Sequence, residues 1–194
     1  MSGTVQNTAR RRRLDPEARH AQLLHFAISA FAENGIERAV HADVAKRAGV
    51  AVPTVFKYFP TREALSDAVL GHVETRIMEL LALVPKTDTI NPGQSIHILA
   101  KGLDAISQAD PDFVKVCLGW SVAFSATRDR YLAMQQRILD EVQLRISGNT
   151  DDRSEARILY GSALLYLQMQ FDGSLDDVKQ RFVNRMADMR DATR

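Results

Sequence analysis

Two groups of residues in this sequence combine charge and hydrogen-bonding capacity in a pattern that chemistry could use. One is the run Arg10, Arg11, Arg12 and Arg13, behind a polar leader. The other lies in residues 41–59, where Val52, Pro53, Thr54 and Lys57 fall on one side of a short helical repeat and Val44, Ala48, Val50, Val55 and Tyr58 on the other. Cations beside a narrow, partly polar helix face suit a polyanion, because they neutralise phosphates while short side chains reach base edges in a major groove. Ala45 is small enough for a second helix to cross closely, and Gly49 supplies a left-handed turn residue between the two. His41 at a helix start, Tyr58 with its phenol beyond a packed ring, and Arg62 in a first helical turn are further candidates for phosphate contact. Each has a structural alternative: a capping or surface histidine, a half-core tyrosine, an arginine held for packing. Phe56 and Phe59 read as packing residues. The arginine run, taken alone, is equally a solvated tail.

Other chemistry is scarce. No Gly-x-Ser-x-Gly elbow and no phosphate-cradling glycine loop occurs, and His20, His25, His41, His72 and His97 include no pair at metal-ligand spacing. Neither catalysis nor a metal or cofactor is therefore expected. The one cysteine, Cys117, rules out a disulfide framework within the chain; flanked by Val116 and Leu118 and close to Trp120, it reads as a small core residue.

Placing these residues requires helices. The apolar spacing is helical nearly throughout, with no alternating β-branched run long enough for a sheet. Asp15-Pro16 supplies an N-cap and a first-turn proline for a helix that should stop at Asn34-Gly35, burying Leu23, Leu24, Ala27, Ile28 and Phe31. Short helices follow at 41–48 and 52–58, then a long one from the N-cap Thr61 to about residue 84 and a polar break over 85–92. Five more helices are expected at 92–109, 111–125, 127–147, 154–171 and 175–191. The expected fold is all-α with about nine helices. It divides into a basic arm at 1–14, a helix-turn-helix domain at 15–60 and a helical regulatory and dimerisation domain at 61–194.

The 194 residues are 45% hydrophobic, enough for a real core, and the formal net charge is +1. That balance hides a gradient: the first 60 residues hold nine Lys/Arg against five Asp/Glu, and the remainder is net negative. An anionic partner should dock at the basic end. No apolar stretch approaches the roughly 18 residues of a membrane span, and the arginines are not followed by an apolar signal region, so a cytoplasmic protein is expected.

Residues 44–65, Val-Ala-Lys-Arg-Ala-Gly-Val-Ala-Val-Pro-Thr-Val-Phe-Lys-Tyr-Phe-Pro-Thr-Arg-Glu-Ala-Leu, resemble the DNA-binding signature of the TetR/AcrR family. Gly35-Ile36, the segment 41–45, Thr54-Val55-Phe56, the segment 58–63 and Trp120-Ser121 are similar to its LuxR/HapR/SmcR quorum-sensing branch. The resemblance implies a homodimeric regulator of many promoters. It puts Arg11, Arg12 and Arg13 in the minor groove and Val52, Pro53, Thr54 and Lys57 in the major groove of operator DNA. Three departures bear on the operator. Ala51 stands where the family usually has serine, Pro53 removes a backbone donor, and Lys57 replaces an asparagine, exchanging a bidentate adenine reader for a point charge.

Farther along, Phe113, Val116, Cys117, Trp120 and Phe124 share one helix face, beside Leu99, Leu103 and Ile106 on the preceding helix. Such a stripe is either plain core or the wall of a pocket. The Trp120-Ser121 resemblance implies a pocket, with Met78, Leu81, Leu103 and Ile138 joining Phe113, Val116, Cys117, Trp120 and Phe124, and an apolar or aromatic small molecule as its ligand. The last two helices are apolar on more than one side, through Ile158, Leu159, Leu165 and Tyr166, then Val178, Phe182, Val183 and Met189. They fit a homodimer built as a four-helix bundle about a two-fold axis. Two other functions compete with a global regulator: a local repressor released by a ligand, and a helical protein-interaction module that binds no DNA.

Overall fold

The computed structural model describes residues 15–86, 91–123, 127–147, 153–174 and 176–191. Among the described residues there are nine α-helices and no strand. The first three are α1 (Pro16–Asn34), α2 (His41–Ala48) and α3 (Val52–Tyr58). Their ends follow from local chemistry. The Asp15 carboxylate accepts the Ala18 N–H at 2.9 Å ahead of Pro16, and Gly35, at φ 81°, ends α1 by donating its N–H to the Phe31 carbonyl. Asp43 accepts the Val40 N–H at 3.0 Å to start α2. Gly49, at φ 63°, makes the left-handed turn into α3 that a side chain would strain. Leu23, Ala27, Val44 and Val55 are fully buried where α1, α2 and α3 meet.

The long helix α4 (Arg62–Ala82) starts at Thr61, whose hydroxyl accepts the Ala64 N–H at 3.0 Å. It packs on α1 at one end and on α5 (Pro92–Ala109), α6 (Pro111–Ser121) and α7 (Arg128–Val142) along its length. A π turn, Gln143–Ser147, extends α7, and α8 (Ser154–Met169) and α9 (Asp176–Asp191) complete the bundle. α5 lies along α9, α7 along α8, and α6 also packs on α1, so one apolar core runs unbroken from the first three helices into the bundle. No helix among the described residues is long and apolar enough to cross a membrane.

Two helix ends differ from expectation, and both differences come from tertiary contacts. α6 stops at Ser121 rather than at 125, its last carbonyls taken by the next helix: the Arg128 guanidinium reaches the Ser121 carbonyl at 3.3 Å and that of Ala123 at 3.5 Å. The final turn of α7 widens into the π turn, in which Arg145 pairs with Glu141 and reaches the Val84 carbonyl at 2.9 Å.

Candidate nucleic-acid interface and ligand cavity

α3 is a short rod gripped from behind. Val55 is fully buried and Phe59, just past its end, is 2% exposed, whereas Val52, Pro53 and Lys57 are exposed and Thr54 is half-buried. The turn before it is closed by the Thr54 N–H on the Ala51 carbonyl at 2.8 Å. One further contact fixes its far end. His41, at the start of α2, is buried, and its Nε2–H donates to the Phe59 carbonyl at 2.7 Å while its ring stacks on Phe56 with centroids 4.0 Å apart. The result is a narrow outward face of two apolar residues, a hydroxyl and an ammonium, matched in size and chemistry to a major groove.

Behind this unit the bundle is hollow. Side chains of α4 to α8 surround an apolar cavity, open at one side, that measures about 750 Å³ with the open solvent at its mouth included. Ile77, Leu80 and Leu81 of α4 form one wall and Leu99, Leu103 and Ile106 of α5 another. Phe113 and Cys117 come from α6, Tyr131, Met134, Ile138 and Val142 from α7, and Leu159, Tyr160, Ala163, Leu164 and Leu167 from α8. The wall is almost wholly hydrocarbon. The Tyr131 and Tyr160 hydroxyls lie 2.6 Å apart and share one hydrogen bond, and burial pushes both the Tyr160 phenol and the Cys117 thiol well above their usual ranges. A thiol so held is protonated and unreactive at neutral pH. Among the described residues no cluster of His, Cys, Asp or Glu could hold a metal ion.

Residues 23–69, from the middle of α1 through α3 into α4, match the family model for bacterial regulatory proteins, tetR family. They form a tetR-family domain. Over 119 residues the chain is 40% identical to the HTH-type transcriptional regulator LuxR of Vibrio harveyi, covering 61% of this chain and 56% of that protein. The chain spans about half the length of the curated relatives it matches. A TetR-like transcriptional regulator from Rhodococcus sp. RHA1 superposes with a TM-score of 0.75 at 17% identity, covering 94% of this chain and all of that one. AibR, solved in complex with isovaleryl coenzyme A and operator DNA, superposes with a TM-score of 0.68 at 17% identity over 88% of this chain and 97% of that one.

The tetR-family domain is joined to the cavity through α4, which arginines hold at three levels. At its start, Arg62 donates to the Ile36 carbonyl at 3.1 Å and also to that of Glu37, in the connection between α1 and α2. At mid-length, Arg130 of α7 pairs with Asp67 at 2.6 Å and Glu74 at 2.7 Å, and Arg137 pairs with Glu74 at 3.0 Å. Burial alone would raise the Glu74 pKa, but the two guanidiniums bring it below the ordinary carboxylate value. At the end, Arg145 holds the Val84 carbonyl. Arg130 directly precedes Tyr131, which lines the cavity, so one helical turn touches both the cavity and α4.

Several residues singled out in the sequence sit elsewhere than expected. His41 is neither a surface residue nor free to reach phosphate, because its Nε2–H is spent on the Phe59 carbonyl in a buried site. One terminal nitrogen of the Arg62 guanidinium donates to two carbonyls, and its other donors are open to a further contact. Phe56, expected to pack, does so with one ring face over His41 but is 46% exposed. Tyr58 is half-buried beside the His20 ring, consistent with a packed ring and a reachable hydroxyl. Leu81, Leu103, Phe113, Cys117 and Ile138 line the cavity. Met78, Val116 and Trp120 do not: Trp120 is fully buried, edge-on to Tyr131, with its indole N–H on the Thr127 carbonyl at 3.5 Å. Its large ring fills space between helices instead of bordering a void. Arg11, Arg12, Arg13 and Phe124 lie outside the described residues. Sequence reasoning missed Arg130, Tyr131 and Tyr160; only Tyr131 carried a signal, falling in register with Met134 and Ile138 on the inner face of α7.

Proposed function

We propose that the chain is a sequence-specific, DNA-binding transcriptional regulator of the quorum-sensing global type, acting in the cytoplasm as a homodimer whose operator affinity is set by an apolar ligand. The observation that carries this reading is the rigid outward face of α3, with Val52, Pro53, Thr54 and Lys57, inside a tetR-family domain. Thr54 and Lys57 read or contact the major groove; Tyr58 donates to phosphate; Arg11, Arg12 and Arg13 reach the neighbouring minor groove. The arm at 1–14, the reading domain at 15–60 and the regulatory domain at 61–194 are its working units. Regulation of this kind calls for neither catalysis nor a cofactor.

Exposed apolar residues support the dimer. Ile158 and Leu165 are 57% and 48% exposed on one face of α8, while Leu159 and Tyr166 on the neighbouring flank are buried. On α9, Val178 and Met189 are exposed and Val183 is buried. Two copies placing α8 and α9 together would cover these faces in a four-helix bundle. Two reading helices then stand about 34–36 Å apart for successive major grooves. A ligand pressing on Tyr131 acts on α4 through Arg130, and can shift that spacing only by as much as it binds the two arrangements differently.

Selection of bound fragments from random DNA, repeated across salt concentrations, tests the reading. A recurring palindromic site is expected, with affinity falling steeply as salt rises. Deleting residues 1–13 should flatten that salt slope while base preference at the major groove survives. Weak binding without base preference would refute it. The apolar cavity favours a second version, a local repressor released by its ligand, and genomic mapping separates the two: a handful of sites beside its own gene means the local repressor, many promoters the global regulator.

A further inference from the structure

Resting on that reading of the cavity as the regulatory site, we propose that its ligand is a neutral amphiphile with an unbranched hydrocarbon chain, a medium-chain alcohol or ketone, whose polar end reaches Ser162. A second, more open pocket, about 340 Å³ with the open solvent at its mouth included, lies between α5, α8 and α9. Leu99, Leu103, Leu159 and Ala163 line both cavities, so a single layer of side chains separates them. Three of these are leucines whose rotamers can part, and the fourth is too small to block. A narrow chain can pass through such a gate; a compact ring system fills the first cavity and stops there.

The polar groups set the chemistry of the two ends. In the first cavity the hydroxyls of Tyr131 and Tyr160 share one hydrogen bond and almost no polar surface faces the space, so a polar ligand group buried there would find no ready partner. In the second, half-buried Ser162 donates to the Met186 sulfur at 3.6 Å. A thioether is a weak acceptor, and a ligand hydroxyl or carbonyl oxygen would replace it with gain. A carboxylate is disfavoured at the same place. The charge tied to this wall is the Asp104 carboxylate, which accepts from the Tyr166 hydroxyl at 2.9 Å and from Gln170 Nε2 at 3.0 Å. Lys179 is engaged by Asp176 and Gln170, which lessens its pull on a second carboxylate.

The test titrates the full chain with hexanol, decanol, decanoate and naphthalene, followed by calorimetry and by the fluorescence of Trp120, which touches the cavity wall through Tyr131. Alkanol affinity is expected to rise about fourfold per methylene from hexanol through decanol. Decanoate should bind on the order of tenfold more weakly than decanol. Ala163→Phe, which closes the gate, should remove the advantage of decanol over hexanol. Ser162→Ala should weaken decanol severalfold and leave hexanol unchanged, and it decides the matter if the phenylalanine variant fails to fold. Affinity that stops rising at hexanol, decanoate binding as well as decanol, or naphthalene binding more tightly than decanol would overturn the proposal. DNA enters none of these measurements, so a chain that binds decanol but no operator refutes the regulator and leaves the ligand class standing.

Discussion

The reading unit and the bundle behind it are both apolar inside, yet they use that interior differently. In α1 to α3, residues such as Leu23, Val44 and Val55 have lost all contact with solvent, and the remaining polar group, His41, is pinned to a carbonyl. In the bundle, residues just as shielded from solvent, Met134 and Ile138 among them, face empty space on one side. Low exposure therefore means two things in one chain: close packing around the short helices α2 and α3, and an unfilled wall in the bundle. A side chain facing a void has already forfeited part of its dispersion energy, so the two regions should answer mutation unequally.

The sharpest test of that contrast pairs two buried leucines. Leu23→Ala, in the reading unit, should cost about 4–5 kcal/mol in chemical denaturation, while Leu103→Ala, on the cavity wall, should stay near the low end for such changes, about 2–3 kcal/mol. Equal costs would mean that the bundle closes around its void in solution and that the contrast fails. Trp120→Ala belongs with the closely packed group despite its place in the bundle, and should lose about 3–5 kcal/mol of stability because the ring lies outside the cavity.

Smaller effects are expected at the outward face. Thr54→Ala and Lys57→Ala should each lose about 1–3 kcal/mol of specific operator binding with melting temperature unchanged, and Lys57→Asn should alter the preferred half-site. If either alanine variant unfolded, α3 would be oriented differently from the structure.

The smallest stability change should come from the arginines joining the two regions. Arg130→Met should cost less than about 1 kcal/mol, because the pairs are partly exposed, yet it should reduce the effect of ligand on DNA affinity far more than it reduces either binding alone. The Glu74 carboxyl has its folded pKa lowered, so its contribution is present above the ordinary carboxylate value of about 4.3 and is lost as pH falls through the lower folded value. Stability measured from neutral pH downward should show that loss in the parent, and Glu74→Gln should remove it. An unaltered acid limb in the variant would place the titration elsewhere.

Much of the fold was legible in the sequence because helix ends are local events. Asp15-Pro16, Gly35, Gly49, Thr61, Asn91-Pro92 and Asp110-Pro111 each satisfy or interrupt backbone hydrogen bonds within a few residues, and the helices begin or end there. The outward set on α3 was legible for the same reason, since a 3.6-residue period sorts its side chains before any partner is known. Periodicity says that a residue points inward; it does not say what it meets there. Hence Trp120 and Tyr131 look alike in sequence, while in the structure one fills its site and the other borders a cavity. The same limit hid the partners of His41, Arg62 and Arg130, which lie 18 to 63 residues away along the chain. Whether a polar side chain braces the fold or meets a ligand depends on which carbonyl or carboxylate the tertiary packing brings within hydrogen-bond reach, and that distance is set by the crossing of whole helices.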